Sequence, residues 1–134
     1  MKIPQNTSTF TFYNANPRGK KTSDCVVRAI CTALNEDYDT IARELLEFWL
    51  MTGYHMSDVK CFGKYLESKG WIKQKQPRKS DNTKFTGGEF AKHFRGTCIA
   101  NIGGHHIVCI VNGKILDIWD SSKGCIGNYW IKDI

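Results

Sequence analysis

The sequence predicts an α+β fold in which N-terminal helices pack on a C-terminal antiparallel sheet. Three observations carry this. Between Cys25 and Ser68, apolar residues recur at helical spacing; from Thr97 onward they fall into short runs of strand length; and two of those runs flank Asn112-Gly113, the dipeptide of a two-residue hairpin. A chain of 134 residues, 41% of them hydrophobic, has material for one core, so residues 1–134 are expected to form a single domain.

The elements follow in order. TFTFY at 9–13 alternates polar and aromatic residues as a half-buried strand does, and Asn14, Asn16, Pro17, Arg18 and Gly19 end it. A first helix starts at Ser23 or Asp24, both good N-cap residues, and runs through Leu34 with an apolar face dense enough to predict burial. A second spans about Asp39 to Met51, with Ile41, Leu45, Phe48 and Trp49 at helical spacing and Gly53 as its stop. A third runs from Ser57 to Ser68, presenting Val59, Phe62, Tyr65 and Leu66 before Gly70, and a short fourth covers Gly88 to His93. Strands are then expected at Thr97–Asn101, His106–Val111, Lys114–Trp119 and Tyr129–Lys132.

Composition narrows the function classes. Nineteen Lys plus Arg against thirteen Asp plus Glu give +6, a balance that permits an anionic partner without demonstrating one. Five of those charges, Lys73, Lys75, Arg78, Lys79 and Lys84, share one polar segment with no interleaved aromatic residues, so a solvated loop is the expectation ahead of a phosphate-binding patch; contact with a substrate is the other role open to it. No stretch approaches membrane-span length, and MKIPQNTSTF contains no apolar h-region, which predicts a cytoplasmic protein with no membrane partner. In that compartment the six cysteines are expected to be thiols, mostly buried, unless one is chemically used. No metal site is expected, because there is no C-x-x-C pair and His106 and Cys109, three apart on a strand, leave opposite faces. No Walker or Rossmann pattern calls for a cofactor.

The chemistry centres on three residues. Cys25 falls in the first turn of its helix, where unpaired N–H groups and the macrodipole favour the thiolate, the reactive form. With a two-residue turn at Asn112-Gly113, Ile110 faces Ile115, Val108 faces Asp117 and His106 faces Trp119, so His106 and Asp117 share a sheet face as diagonal neighbours. His105 points the other way and pairs with Asp120, an alternative base and orienter that a bulge in the turn would bring into play. Arg28, one turn after Cys25, is placed to hold a buried ion pair with Asp24 or a later carboxylate. Trp119, Tyr129 and Trp130 are assigned to packing.

An early cysteine on a helix start, then a histidine on a strand and a carboxylate on the next, is the chain order of papain-like enzymes. SDCVVRAI resembles the nucleophile helix of that superfamily, and HIVCIVNGKILDIWD resembles its histidine strand and the strand that follows. The chain is also similar to small phage-encoded proteins with a D-C-V-x-R-A helix and a later G-x-H plus D-x-W-D pattern. The resemblance implies a papain-like or bacteriocin-processing-peptidase-like fold and a cysteine hydrolase of amide or isopeptide bonds in a protein or peptide. Cys25 would be the nucleophile, His106 the proton carrier and Asp117 its orienter.

One departure stands out. The glutamine that such enzymes carry six residues before the cysteine is Gly19 here, leaving the Cys25 backbone N–H with Asn16 or Thr22 as oxyanion candidates. That departure keeps two further readings open: a catalytically decayed binder of a phage or mobile element, engaging a host protein or nucleic acid, and an acyltransferase using the same three residues.

Overall fold

The structure is a computed structural model, and it describes residues 3–133. Its elements are β1 (Phe10–Phe12), α1 (Cys25–Leu34), α2 (Tyr38–Thr52), α3 (Val59–Ser68), β2 (Trp71–Gln74), α4 (Gly87–His93), β3 (Thr97–Ile102), β4 (His106–Val111), β5 (Lys114–Asp117) and β6 (Ile126–Lys132). The α+β class therefore stands. No helix among the described residues is long and apolar enough to cross a membrane.

The strands form one six-stranded sheet in the order β1-β5-β4-β3-β6-β2. Its centre is antiparallel, as the hairpin pattern predicts, but the sheet as a whole is mixed, because β1 runs parallel to β5 with Phe10 opposite Ile115 and Phe12 opposite Asp117. This corrects the expectation of an antiparallel sheet drawn from the C-terminal half alone: both edge strands come from the first 74 residues. The physical reason is edge protection. The backbone of β5 would otherwise end the sheet with open groups; instead Ile115 N–H donates to Thr9 and Tyr13 N–H donates to the carbonyl of Asp117. β2 closes the far edge against β6, burying Trp71 while Ile72 stays exposed.

Two apolar clusters lie on opposite faces. On one, α1, α2 and α3 pack Val26, Ile30, Leu45, Phe62 and Leu66 against Ile99, Ile107, Cys109 and Trp130. On the other, Ala91 of α4 meets Cys98, Ala100, Ile102, Val108, Ile110, Ile115 and Ile126. Strand alternation explains the division along β3 and β4. Trp130 and Ile126, four apart, still take opposite faces because a register shift between Ala100 and Ile102 places an extra residue in β6.

The hairpin forms as its sequence dictates. Asn112 (φ 44°) and Gly113 (φ 90°) both adopt the positive φ that a type I′ turn requires, fixing Val111 opposite Lys114, Ile110 opposite Ile115 and Cys109 opposite Leu116. β5 ends at Asp117 rather than Trp119, and β6 starts at Ile126, three residues ahead of the expected Tyr129. α1 begins at Cys25 with Asp24 at its N-cap, whereas α2 and α3 are capped by Asp37 and Asp58, each accepting from a first-turn N–H.

Candidate active site

Cys25 is the first residue of α1, and the apolar side of that helix packs along β4. The Cys25 thiol is thereby carried to the start of β4, where His106 is the first residue. The sulfur lies close enough to the imidazole, and to the backbone N–H of Ile107, to interact with both. On its other side the imidazole meets Asp117: His106 Nε2 lies 2.5 Å from Asp117 Oδ2. With Nε2 engaged there, Nδ1 is the ring nitrogen left for the sulfur.

Asp117 is 1% exposed, and a buried carboxylate needs partners. Its second oxygen accepts from Arg28 Nη1 at 2.5 Å and from the backbone N–H of Ile118 at 2.7 Å. Arg28 in turn donates from Nε to Asp24 Oδ1 at 2.7 Å. Asp24 Oδ2 then accepts from Tyr38 Oη at 2.6 Å and Asn16 Nδ2 at 3.1 Å. A row of alternating charge thus runs through the protein interior from Asp24 to Arg28, Asp117, His106 and Cys25.

Electrostatics along this row favour the ion-paired state. Burial works to raise the Cys25 thiol, but the hydrogen bonds from His106 and Ile107 and the charges of His106 and Arg28 outweigh it, and its pKa falls below the ordinary 9.0. Burial also opposes the imidazolium, yet hydrogen bonds to Asp117 and Cys25, with their charges, push His106 up to about 9. For Asp117, burial is overcome by its bonds to His106 and Arg28, which hold the carboxyl below its usual range. Four other cysteines move the opposite way: burial raises Cys31, Cys61 and Cys98, and takes Cys109 up to about 12.

No protein-family model, curated protein or solved structure matches the chain.

The structure brings Cys25, His106 and Asp117 together and leaves the alternative pair out. His105 is exposed, Asp120 accepts from the backbone N–H of Ser122, and no hydrogen bond joins His105 to Asp120 among the described residues. Of the oxyanion candidates, Asn16 is buried beside the site but tied to Asp24 through Nδ2 and to the Arg18 N–H through Oδ1. Thr22 is exposed, and its carbonyl serves Asp24 N–H. The expected capping role of Asp24 is not fulfilled, since its carboxylate is drawn to Arg28, Tyr38 and Asn16 and makes no cap hydrogen bond. The backbone N–H of Cys25 accordingly keeps no intrahelical or capping partner among the described residues, which leaves it free to donate.

Two contributors escape the sequence analysis. The Ile107 N–H, which helps lower the Cys25 thiol, is a backbone group with no sequence signal. The Trp119 ring lies over His106, with centroids 4.6 Å apart, although it is half exposed rather than packed in the core. Extrapolating the hairpin register places Trp119 opposite His106, and that was the available signal. Trp130, by contrast, is core. The basic segment after Lys73 follows β2 at the sheet edge remote from β4 and β5; within it Lys79 pairs with Glu89 and Arg78 with Gln76. Among the described residues no group of three or more His, Cys, Asp or Glu could hold a metal ion.

Proposed function

We propose that this chain is a papain-like cysteine hydrolase that cleaves an amide or isopeptide bond in a protein or peptide. The observation that carries the reading is the juxtaposition of the Cys25 sulfur with a His106 ring that is hydrogen bonded on its other side to buried Asp117. In the reaction the Cys25 thiolate attacks the carbonyl carbon, and the Cys25 N–H donates to the developing oxyanion. The His106 imidazolium then gives its proton to the leaving amine as the C–N bond breaks, and a thioester remains on Cys25. Water, deprotonated by His106, hydrolyses that thioester and restores the thiolate–imidazolium pair. Asp117 keeps the ring oriented throughout, and the Trp119 ring packs against His106.

The test is alkylation. At neutral pH an ordinary thiol is only a few per cent thiolate, so iodoacetamide should modify Cys25 roughly tenfold faster than the exposed Cys125, which serves as the internal reference. His106→Ala should bring Cys25 down to the rate of Cys125 or below. Equal labelling of the two cysteines in the wild type, unchanged by that substitution, would sink the hydrolase reading and favour a decayed binder. The same thiolate serves acyl transfer, and the fate of the thioester distinguishes transfer from hydrolysis.

A further inference from the structure

A groove of about 740 Å³ lies along α3 and shares no residue with the proposed catalytic site. On α3, Val59, Gly63 and Glu67, and beside them Lys60 and Lys64, recur at the four-residue spacing that places them on one helix face. Met51, Thr52 and Tyr54 bound the groove at the end of α2, and Lys73 of β2 and Trp130 of β6 bound it on the sheet side. Apolar side chains stand open to water there: Met51 is 69% exposed, and Tyr54 and Val59 are each 43% exposed.

Two further features point to a ligand. The first is charge. Lys60, Lys64 and Lys73 are exposed, share the lining with a single carboxylate, Glu67, and make no ion pair among the described residues. Lys69 and Lys79, by contrast, find Glu44 and Glu89. Two of the groove ammonium groups are held over its aromatic rings, Lys60 at 4.9 Å from the Tyr54 centroid and Lys73 at 5.9 Å from that of Trp130. Lys60 and Lys64 are also like charges one turn apart, which mildly destabilises a helix. The second feature is Gly63. Glycine inside a helix is less stable than alanine, and packing does not demand it here, because a Cβ would meet only Val59 Cγ2 at 3.5 Å, an ordinary contact. What the missing side chain does is keep the groove open.

We infer that this groove docks an acidic peptide segment of a partner protein, with apolar side chains seated against Met51, Val59 and the bare backbone of Gly63 and carboxylates paired with Lys60, Lys64 and Lys73. The inference stands independently of the hydrolase reading. The sign of the partner follows from three lysines against one glutamate in a chain of net charge +6. A single-stranded nucleic acid is anionic too, but it binds by stacking bases on open aromatic faces; Trp130 is 1% exposed, and Tyr54 carries Lys60 over its ring. An anionic bilayer presents a broad surface that does not reach the buried Gly63.

The test selects ligands without presuming their sequence. Displayed random dodecapeptides are selected on the immobilised full chain, and enriched peptides are synthesised with a fluorescent label and titrated by anisotropy. They should combine net negative charge with apolar residues. Lys60→Glu together with Lys64→Glu should weaken their binding at least about tenfold, and added salt should weaken binding to the wild type. Gly63→Leu should weaken it at least about tenfold while melting no lower than the wild type, since leucine is the better helix former. The two lysines are exposed, so their reversal leaves the core intact and decides the matter even if Gly63→Leu fails to fold. Enriched peptides without net negative charge, equal binding to wild type and the lysine variant, or no enriched peptide at all would overturn the assignment. Phosphatidylserine vesicles and oligothymidylate are the parallel probes; if either binds, the lysine variant abolishes that binding and no peptide is enriched, the groove belongs to a membrane or a nucleic acid and the peptide assignment falls.

Discussion

Arg28→Met is expected to destabilise the protein by about 3–5 kcal/mol at neutral pH, among the largest losses of any single substitution here. The guanidinium sits between two carboxylates whose side chains are 9% and 2% exposed, Asp24 and Asp117, and bonds to both. Methionine fills much of the same volume, so the loss is electrostatic rather than a cavity effect. Two buried anions are left facing one another, with only Tyr38, Asn16, His106 and the Ile118 N–H to hold them. The pH dependence gives the signature. Asp117 is held below its ordinary pKa in the folded protein, so it contributes stability that is present above the unfolded value of 3.8 and lost as pH falls through the folded value. Removing Arg28 takes away part of that depression. The gap between wild type and Arg28→Met should therefore hold down to about pH 4 and narrow below it, as Asp117 protonates first in the folded variant and then in the folded wild type. Urea midpoints at neutral and acid pH measure it. Asp24→Asn in the Arg28→Met background should recover part of the loss. Arg18→Ala is the comparison: Arg18 makes a bidentate pair with Asp39 on the surface, and its removal should barely move the midpoint. A loss for Arg28→Met no greater than that for Arg18→Ala would show that the charge row has no stabilising role.

The central site was legible because its parts are locally encoded. Asn112-Gly113 admits one two-residue turn, that turn sets the register, and the register places His106 and Asp117 on one face; Cys25 at a helix start follows from Ser23-Asp24 ahead of an apolar run. Arg28 was expected to find Asp24 or a later carboxylate, and it binds both Asp24 and Asp117, the latter 89 residues away. The parts that were not legible depend on distant partners. β1 is three residues long, and nothing in Phe10–Phe12 says that it will run parallel to β5. β2 buries Trp71 and leaves Ile72 and Lys73 exposed, so an edge strand reads as the start of a polar loop. Asp24 carries every mark of a helix cap, and only the fold reveals that Arg28, Tyr38 and Asn16 compete for its oxygens.

Asp117→Asn should narrow the pH range of the proposed chemistry from both sides. A carboxylate can accept from His106 and Arg28 at once, one oxygen for each, whereas a carboxamide has a single acceptor oxygen and a donating NH₂ group. If the amide oxygen turns to Arg28, the NH₂ donates to His106 Nε2 and forces the neutral ring with its proton on Nδ1. If it turns to His106, the NH₂ is driven against the guanidinium. Either way the imidazolium loses the charge of Asp117 that helps raise its pKa to about 9. A raised histidine pKa means that the cation is fully present below the ordinary value of 6.5 and disappears as pH rises through about 9, so the substitution should draw this alkaline limb down toward 6.5. The thiolate, deprived of its cation, should need higher pH to form, and the acid limb of Cys25 alkylation should move up toward the ordinary thiol value of 9.0. At neutral pH the two shifts together should lower turnover of p-nitrophenyl acetate by about a hundredfold or more, the order expected when a general acid–base group is disabled. Because thiol and imidazole titrate as a coupled pair, the limbs are to be compared between variants measured alike. Limbs that stay in place in Asp117→Asn would mean that Asp117 serves only to anchor Arg28, and the charge row would end at α1 rather than reach the sulfur.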